Sequence, residues 1–224
     1  MSYFTKDFLA FFKELSTNNQ KEWFHDNKKR YESSVKNPFT AFLNDLFDEI
    51  KKYDKEFNTE PKDCIARINR DIRFAKDKTP YNTHYTAFAS RGGKKNKDIP
   101  GIFLRFGPEE TAIMGGCYMP PKEQLQGIRK MISANIAQFR KLIEDNDFVS
   151  KFGGIVGDEH KRIPLEFQEA LRKEPLIAKK QFYYVAQREP ELILHKDLLA
   201  EVMSYWHTAR PINDYLTKAI QNGI

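Results

Sequence analysis

The chain has 224 residues, 37 Lys and Arg against 31 Asp and Glu for a formal net charge of +6, 40% hydrophobic residues and 13% aromatic ones. That apolar fraction is enough for a packed core and excludes a disordered chain. No apolar run exceeds the five residues Phe8–Phe12, far short of the roughly twenty that a membrane-spanning helix needs, and the first residues lack the charged region followed by an apolar stretch that marks a secretory signal.

Phe4, Phe8, Phe11, Phe12 and Leu15 follow the 3.6-residue period and predict a short amphipathic helix, broken at Asn18-Asn19. A second helix is predicted from near Gln20, carrying Trp23, Phe24 and Tyr31 and ending before Asn37-Pro38. That pair suits the N-cap and first turn of a third helix. Its stripe of Phe39, Phe42, Leu43, Leu46, Phe47 and Ile50 is the clearest in the chain. Residues 64–74, 83–90, 101–106 and 111–118, rich in Ile, Phe, Tyr and Thr and separated by Gly and Pro, read as four strands. After Met119-Pro120-Pro121, a helix is predicted with Leu125, Ile128 and Ile132 on one face, and another over 135–145. Residues 164–174 fit a helix and 181–186 a strand. Leu198, Leu199, Val202, Met203 and Trp206 mark a helix, and Pro211 opens a last one with Ile212, Tyr215, Leu216 and Ala219. Helices, then strands, then helices predict an α+β fold. Its mainly antiparallel sheet covers about 64–118, with 181–186 as a candidate further strand. No linker composition interrupts 1–224, so a single domain is expected.

Cys64 and Cys117 lie far apart without metal-ligand spacing and are expected to be buried thiols in a reducing cytoplasm. His25, His84, His160, His195 and His207 show neither an HxH nor an HExxH pattern, so no zinc and no cofactor are expected. Gly115-Gly116 lacks the GxxxxGK[ST] context of a phosphate loop and reads as a bulge or a close backbone approach. No GxSxG motif is present, and Trp23-Phe24 reads as core.

The positive charge is local. Residues 62–98 hold ten basic side chains and four acidic ones, and the rest of the chain is balanced. The densest part is Ile65-Ala-Arg67-Ile-Asn69-Arg70-Asp71-Ile-Arg73-Phe74-Ala-Lys76-Asp77-Lys78-Thr79-Pro80-Tyr81. As a strand, it places Arg67, Asn69, Asp71 and Arg73 on a polar face, and Arg70 among Ile68, Ile72 and Phe74 on the other. Ile65, Ile68 and Ile72 are also helix-spaced, but the β-branched content favours a strand. Arginine offers a planar fork to two oxygens and lysine a point charge. Arg67, Arg73, Lys76 and Lys78 are therefore candidate ligands for a phosphate or carboxylate. Asp71 and Asp77 would orient them, or one would act as a general base. Asn69 and Tyr81 would add hydrogen bonds, and Arg70 would be structural. Two other readings stand beside a small-anion site. One is nucleic-acid binding by the basic segment 62–98, with Lys94, Lys95 and Lys97 on phosphates and exposed Tyr or Phe for stacking. The other is a structural ion-pair network or protein-interaction domain with no ligand. None of the three involves a membrane.

Arg67-Ile-x-Arg70-Asp71-Ile-Arg73-Phe74-x-Lys76-Asp77-Lys78-Thr79-Pro80-Tyr81 closely resembles the signature of the domain of unknown function 2461 family, a widespread bacterial and fungal group. Asn18-Asn19-x-x-Glu22-Trp23-Phe24, with Tyr31 and Pro38, is similar to that family's opening motif. Gly115-Gly116-x-Tyr118-x-Pro120, followed by Leu125 and Ile128-Arg129, is similar to its middle motif, and Lys161-Arg162-x-Pro164 to part of a later one. The chain departs from the pattern at Asn69, where an aromatic residue is expected, at Asn82 for lysine, at His160 for leucine and at Glu166 for glycine. The resemblance covers nearly the whole chain. It implies one fold over that length and no particular reaction.

Overall fold

The structure, a computed structural model, describes residues 2–93 and 99–221. It is an α+β fold in which four antiparallel strands follow the order β1-β2-β3-β4: Tyr85–Ala89, Gly101–Phe106, Thr111–Cys117 and Phe182–Arg188. The chain divides into two compact units. The first comprises Met1–Lys95, Phe103–Ile113 and Gln187–Met203; the second comprises Asn96–Ile102, Met114–Ala186 and Ser204–Ile224.

In the first unit, α1 (Lys6–Thr17) is capped by the Thr5 hydroxyl, which accepts from the Asp7 N–H, and buries Phe8, Phe11, Phe12 and Leu15. Short α2 (Lys21–Asp26) and α3 (Lys28–Tyr31) follow. The chain stays helical through Asn37-Pro38 instead of restarting there. Residues 32–36 form a wider π turn closed by the Asn37 N–H on the Glu32 carbonyl, and α4 (Asn37–Tyr53) continues from it. Pro38 has no N–H for the Ser34 carbonyl, and the wider turn absorbs that lost bond without ending the helix. All six residues of the predicted α4 stripe are buried. Phe39 and Phe42 meet Phe106 with ring centroids 5.4 and 5.7 Å apart, and Phe39 meets Tyr85 edge-on at 4.9 Å. The Tyr31 hydroxyl bonds that of Tyr85 at 3.0 Å, so this aromatic core also closes its polar ends.

In the second unit, α6 (Lys122–Ala134), α7 (Ile136–Ile143) and α8 (Asn146–Phe152) pack their apolar faces inward. Phe148 and Phe152 contact the fully buried Tyr184 edge-on at 5.0 and 4.7 Å. The Tyr184 hydroxyl donates to Asn213 Oδ1 at 2.7 Å. The same oxygen accepts from the Gly116 N–H at 3.1 Å, and Asn213 Nδ2 donates to the Gly101 carbonyl at 3.3 Å. Gly115-Gly116 is a close backbone approach. A Cβ on Gly115 would lie 2.5 Å from the Tyr184 hydroxyl oxygen, and Gly116 has φ +88° with the Phe182 carbonyl against it.

Two expectations are corrected here. Residues 64–74 are not a strand; α5 (Pro61–Cys64) leads into extended chain that makes only single antiparallel bridges, Ile65 to Ala87 and Asn69 to Tyr81. Pro211 lies inside one helix, α9 (Leu198–Gln221), and opens no new one. Val202 and Met203 before it and Ile212, Tyr215 and Leu216 after it are buried, and that burial outweighs one missing hydrogen bond.

Candidate functional site

Residues 70–80 form an excursion whose neck is built from both chain ends. The Arg70 N–H donates to the Pro80 carbonyl at 2.9 Å, and the Asn82 N–H donates to the Ile68 carbonyl at 2.8 Å. Asn82 Nδ2 reinforces the second link at 3.1 Å. Tyr81 anchors the neck to the N-terminal helices. Its N–H donates to Asn19 Oδ1 at 3.0 Å, its carbonyl accepts from Asn19 Nδ2 at 2.9 Å, and its ring stacks on Phe24 at 4.2 Å. Asn19 and Phe24 thus hold the excursion; in the sequence they read as a helix break and as core, within the stretch similar to the family's opening motif. Trp23 and Phe24 are half-buried, not core.

Two aspartates turn the chain and keep it from pairing as a strand. Asp71 Oδ1 accepts from the Arg73 N–H at 3.3 Å, and Asp77 Oδ1 from the Thr79 N–H at 2.9 Å. These are local side-chain-to-backbone bonds that compete with a sheet ladder. The extended backbone still alternates its exposure. Ile68 is buried between exposed Arg67 and Asn69, and half-buried Arg70 and Ile72 alternate with exposed Asn69, Asp71 and Arg73. Phe74 breaks the pattern: placed on the apolar side by the alternation, it is 95% exposed.

The charged groups divide into two kinds. Arg70 Nη1 contacts Asp77 Oδ2 at 2.5 Å, the Thr79 carbonyl at 3.2 Å and the Thr79 hydroxyl. Arg73 grips Asp71 with two parallel bonds of 2.9 and 2.7 Å and lies over the Phe74 ring at 5.9 Å. Lys78 Nζ donates to the Ile72 carbonyl at 2.8 Å. Arg67 and Lys76, by contrast, make no side-chain hydrogen bond or ion pair among the described residues. Arg67, Asn69, Arg70, Asp71 and Arg73 line one open cavity of about 320 Å³. Lys76, Asp77, Lys78 and Tyr81 are outside that lining, and the buried Tyr81 ring serves the neck.

The local charges keep both aspartates ionised. The Arg73 guanidinium, then its N–H, hold the Asp71 carboxyl below the usual carboxylate range, and Arg67 adds to the effect. The Thr79 N–H, then Arg70, bring Asp77 down to about 2. Both stay ionised near neutrality, far from the matched value a general base needs. His84 is lowered to about 4 by burial and by Arg105, so it is neutral at pH 7.

Several other charges of segment 62–98 are balanced by carboxylates from outside it. Arg91 pairs with Asp54 at 2.8 Å and Glu56 at 2.6 Å, and Lys62 with Glu60 at 2.6 Å. Lys94, Lys95 and Lys97 lie outside the described residues. Among the described residues, no group of three or more His, Cys, Asp or Glu is placed to hold a metal ion, and no helix is long and apolar enough to cross a membrane.

One further arginine stood in the sequence only within the stretch similar to the family's middle motif, with no site role assigned to it. Arg129 on α6 is buried, and donates to the Ile177 carbonyl at 2.9 Å and the Lys179 carbonyl at 3.1 Å. No carboxylate pairs with it among the described residues. Its two acceptors lie at the end of the Pro175–Ala178 turn, where carbonyls carry partial negative charge.

The family model for the Conserved hypothetical protein (DUF2461) matches residues 7–215. The chain belongs to this family. The match runs through the 67–81 excursion, the Asn19 and Phe24 that anchor it, and Arg129. No curated protein and no solved structure matches the chain.

Proposed function

We propose that segment 67–78 binds a small anion, a phosphorylated or carboxylated molecule. One observation carries the reading: three arginines line a cavity of about 320 Å³, and the side chain of one of them, Arg67, has no hydrogen-bonded partner among the described residues. Asp71 is within electrostatic reach of Arg67, but its two oxygens already accept from Arg73. Five cations (Arg67, Arg70, Arg73, Lys76 and Lys78) face two carboxylates, Asp71 and Asp77, so the segment has positive charge to spare. An anion bridging Arg67 and Arg73 gains charge-assisted, forked hydrogen bonds. Asp71 and Asp77 act as orienting groups. With neither near neutral pKa, the reading is binding and includes no turnover.

The reading takes 1–224 as one domain, supported by a family match unbroken over 7–215. It places the protein in the cytoplasm, in keeping with Cys64 and Cys117, which are buried and not joined in a disulfide. The test is calorimetric titration of inorganic phosphate into wild type and Arg67→Ala. Saturable binding that weakens at least tenfold in the variant is expected. Equal binding by the two proteins, or none by either, contradicts the reading.

A further inference from the structure

Phe74 is the least buried large apolar side chain of the chain's described residues, at 95% exposure, and it sits next to the residues that line the cavity. A single exposed apolar residue is ordinary on a protein surface. This one is placed and supported. The Asp71 carboxylate locks the Arg73 guanidinium by two bonds of 2.9 and 2.7 Å, and that guanidinium lies 5.9 Å from the centre of the Phe74 ring. The ring is therefore flanked on one side by a cation that also lines the cavity. At 95% exposure, its remaining surface is open to solvent. Neighbouring Ile72 is half-buried.

A cationic cavity with an exposed aromatic ring beside one of its lining arginines recognises two features of one ligand: a negative group, and a planar ring attached to it. The geometry points to a phosphate carried on an aromatic base, a mononucleotide, with the phosphate between Arg67 and Arg73 and the base stacked on the open face of Phe74. This rests on the anion-binding reading above and names the ligand class of that same site. A cavity of about 320 Å³ lies at the small end of ligand sites, in keeping with a phosphate and its sugar inside and the base outside against the ring. Stacking of a base on an aromatic side chain changes affinity by about fivefold to a hundredfold when that side chain is removed. The contact does not depend on which base is offered, so no selectivity among bases is part of the inference.

The experiment titrates four probes into wild type and Phe74→Ala: inorganic phosphate, ribose 5-phosphate, adenosine monophosphate and a short single-stranded oligoadenylate. Wild type is expected to bind adenosine monophosphate at least fivefold more tightly than ribose 5-phosphate. In Phe74→Ala that preference should vanish while phosphate affinity stays unchanged. Equal wild-type affinity for the two phosphorylated sugars, or a preference that survives in Phe74→Ala, overturns the inference and leaves the anion site standing. Binding of the oligonucleotide without binding of adenosine monophosphate also overturns it and assigns the site to a nucleic-acid strand. Failure of all four probes overturns the inference together with the anion site.

Discussion

Arg129 and Arg67 show two ways a chain uses an arginine. Arg129 is buried and satisfied by two backbone carbonyls at the end of a helical turn. The fold is built around it, and its charge is met by partial charges that cannot leave. Arg67 is exposed, lines an open cavity and has no hydrogen-bonded partner among the described residues. Arg30, bonded to Asp7 and Glu14 at 2.6 Å each, belongs with Arg129 in using acceptors brought from afar in the chain. Among the described residues, the charged side chains of segment 67–78 find bonding partners only at residues 70–79 and leave charge over. Arginines of the first kind are expected to matter for stability, and those of the second for binding.

The largest effect that would break this contrast is at position 129. Arg129→Met should lower the unfolding free energy by about 3 kcal/mol, measured by denaturant titration, because two carbonyls lose a charged donor and stay buried. A change below 1 kcal/mol would remove Arg129 from the structural class.

Arg70 lies between the two kinds. Its side chain is 26% exposed, but its acidic partner Asp77 is 60% exposed, so removing it leaves no deeply buried charge behind. Arg70→Ala should cost about 1–2 kcal/mol, less than a fully buried pair would. A loss as large as that of Arg129→Met would mean that the excursion is a structural network throughout.

A pH series sharpens the same point. Asp77 is lowered from an ordinary 3.8 to about 2, so the folded form holds this proton less tightly than the unfolded one. Its contribution to stability is complete above about pH 4 and is lost as the pH falls towards 2. Asp77→Asn should flatten that part of the acid-unfolding curve and leave stability above pH 5 independent of pH at this position. An unchanged acid limb would show that the Thr79 and Arg70 bonds to Asp77 do not persist in solution.

The smallest stability effects are expected where the binding effects are greatest. Arg67→Ala and Arg73→Ala should each shift unfolding by less than about 1 kcal/mol, since exposed pairs contribute little. Both should weaken phosphate binding. If either variant unfolds as readily as Arg129→Met, the division between fold-building and ligand-facing arginines fails.

The sequence made the helices most legible, because a long amphipathic period leaves few alternatives: every residue of the 39–50 stripe is buried. Three of the four strands predicted within 64–118 stand close to their expected bounds, and the candidate strand at 181–186 is β4. The failure at 64–74 has a specific cause. Alternation of polar and apolar residues set which side chains are covered up to Arg73, but Asp71 and Asp77 spend their oxygens on nearby backbone N–H groups and bend the chain out of any ladder. Periodicity does not see such bonds. The candidate cluster was legible as a list of residues, and Arg67, Asn69, Arg70, Asp71 and Arg73 do meet around one cavity. What a list omits is which partners are already taken: Asp71 holds Arg73, backbone carbonyls hold Lys78, and Asn19, from 62 residues earlier, holds Tyr81. Arg129 was invisible as a buried cation because its acceptors are carbonyls, which every residue carries.

The central claim is that Arg67 faces a ligand while Arg129 faces the fold, and arginine side-chain NMR reads both residues in one sample. Nitrogen-15 spectra of the arginine Nε–H groups, recorded during a titration with inorganic phosphate at low salt, should show the Arg67 signal moving and saturating. The Arg73 signal should follow it, and those of Arg129 and Arg30 should stay in place. A titration that leaves Arg67 unmoved, or that moves all arginines alike without saturation, would contradict the account.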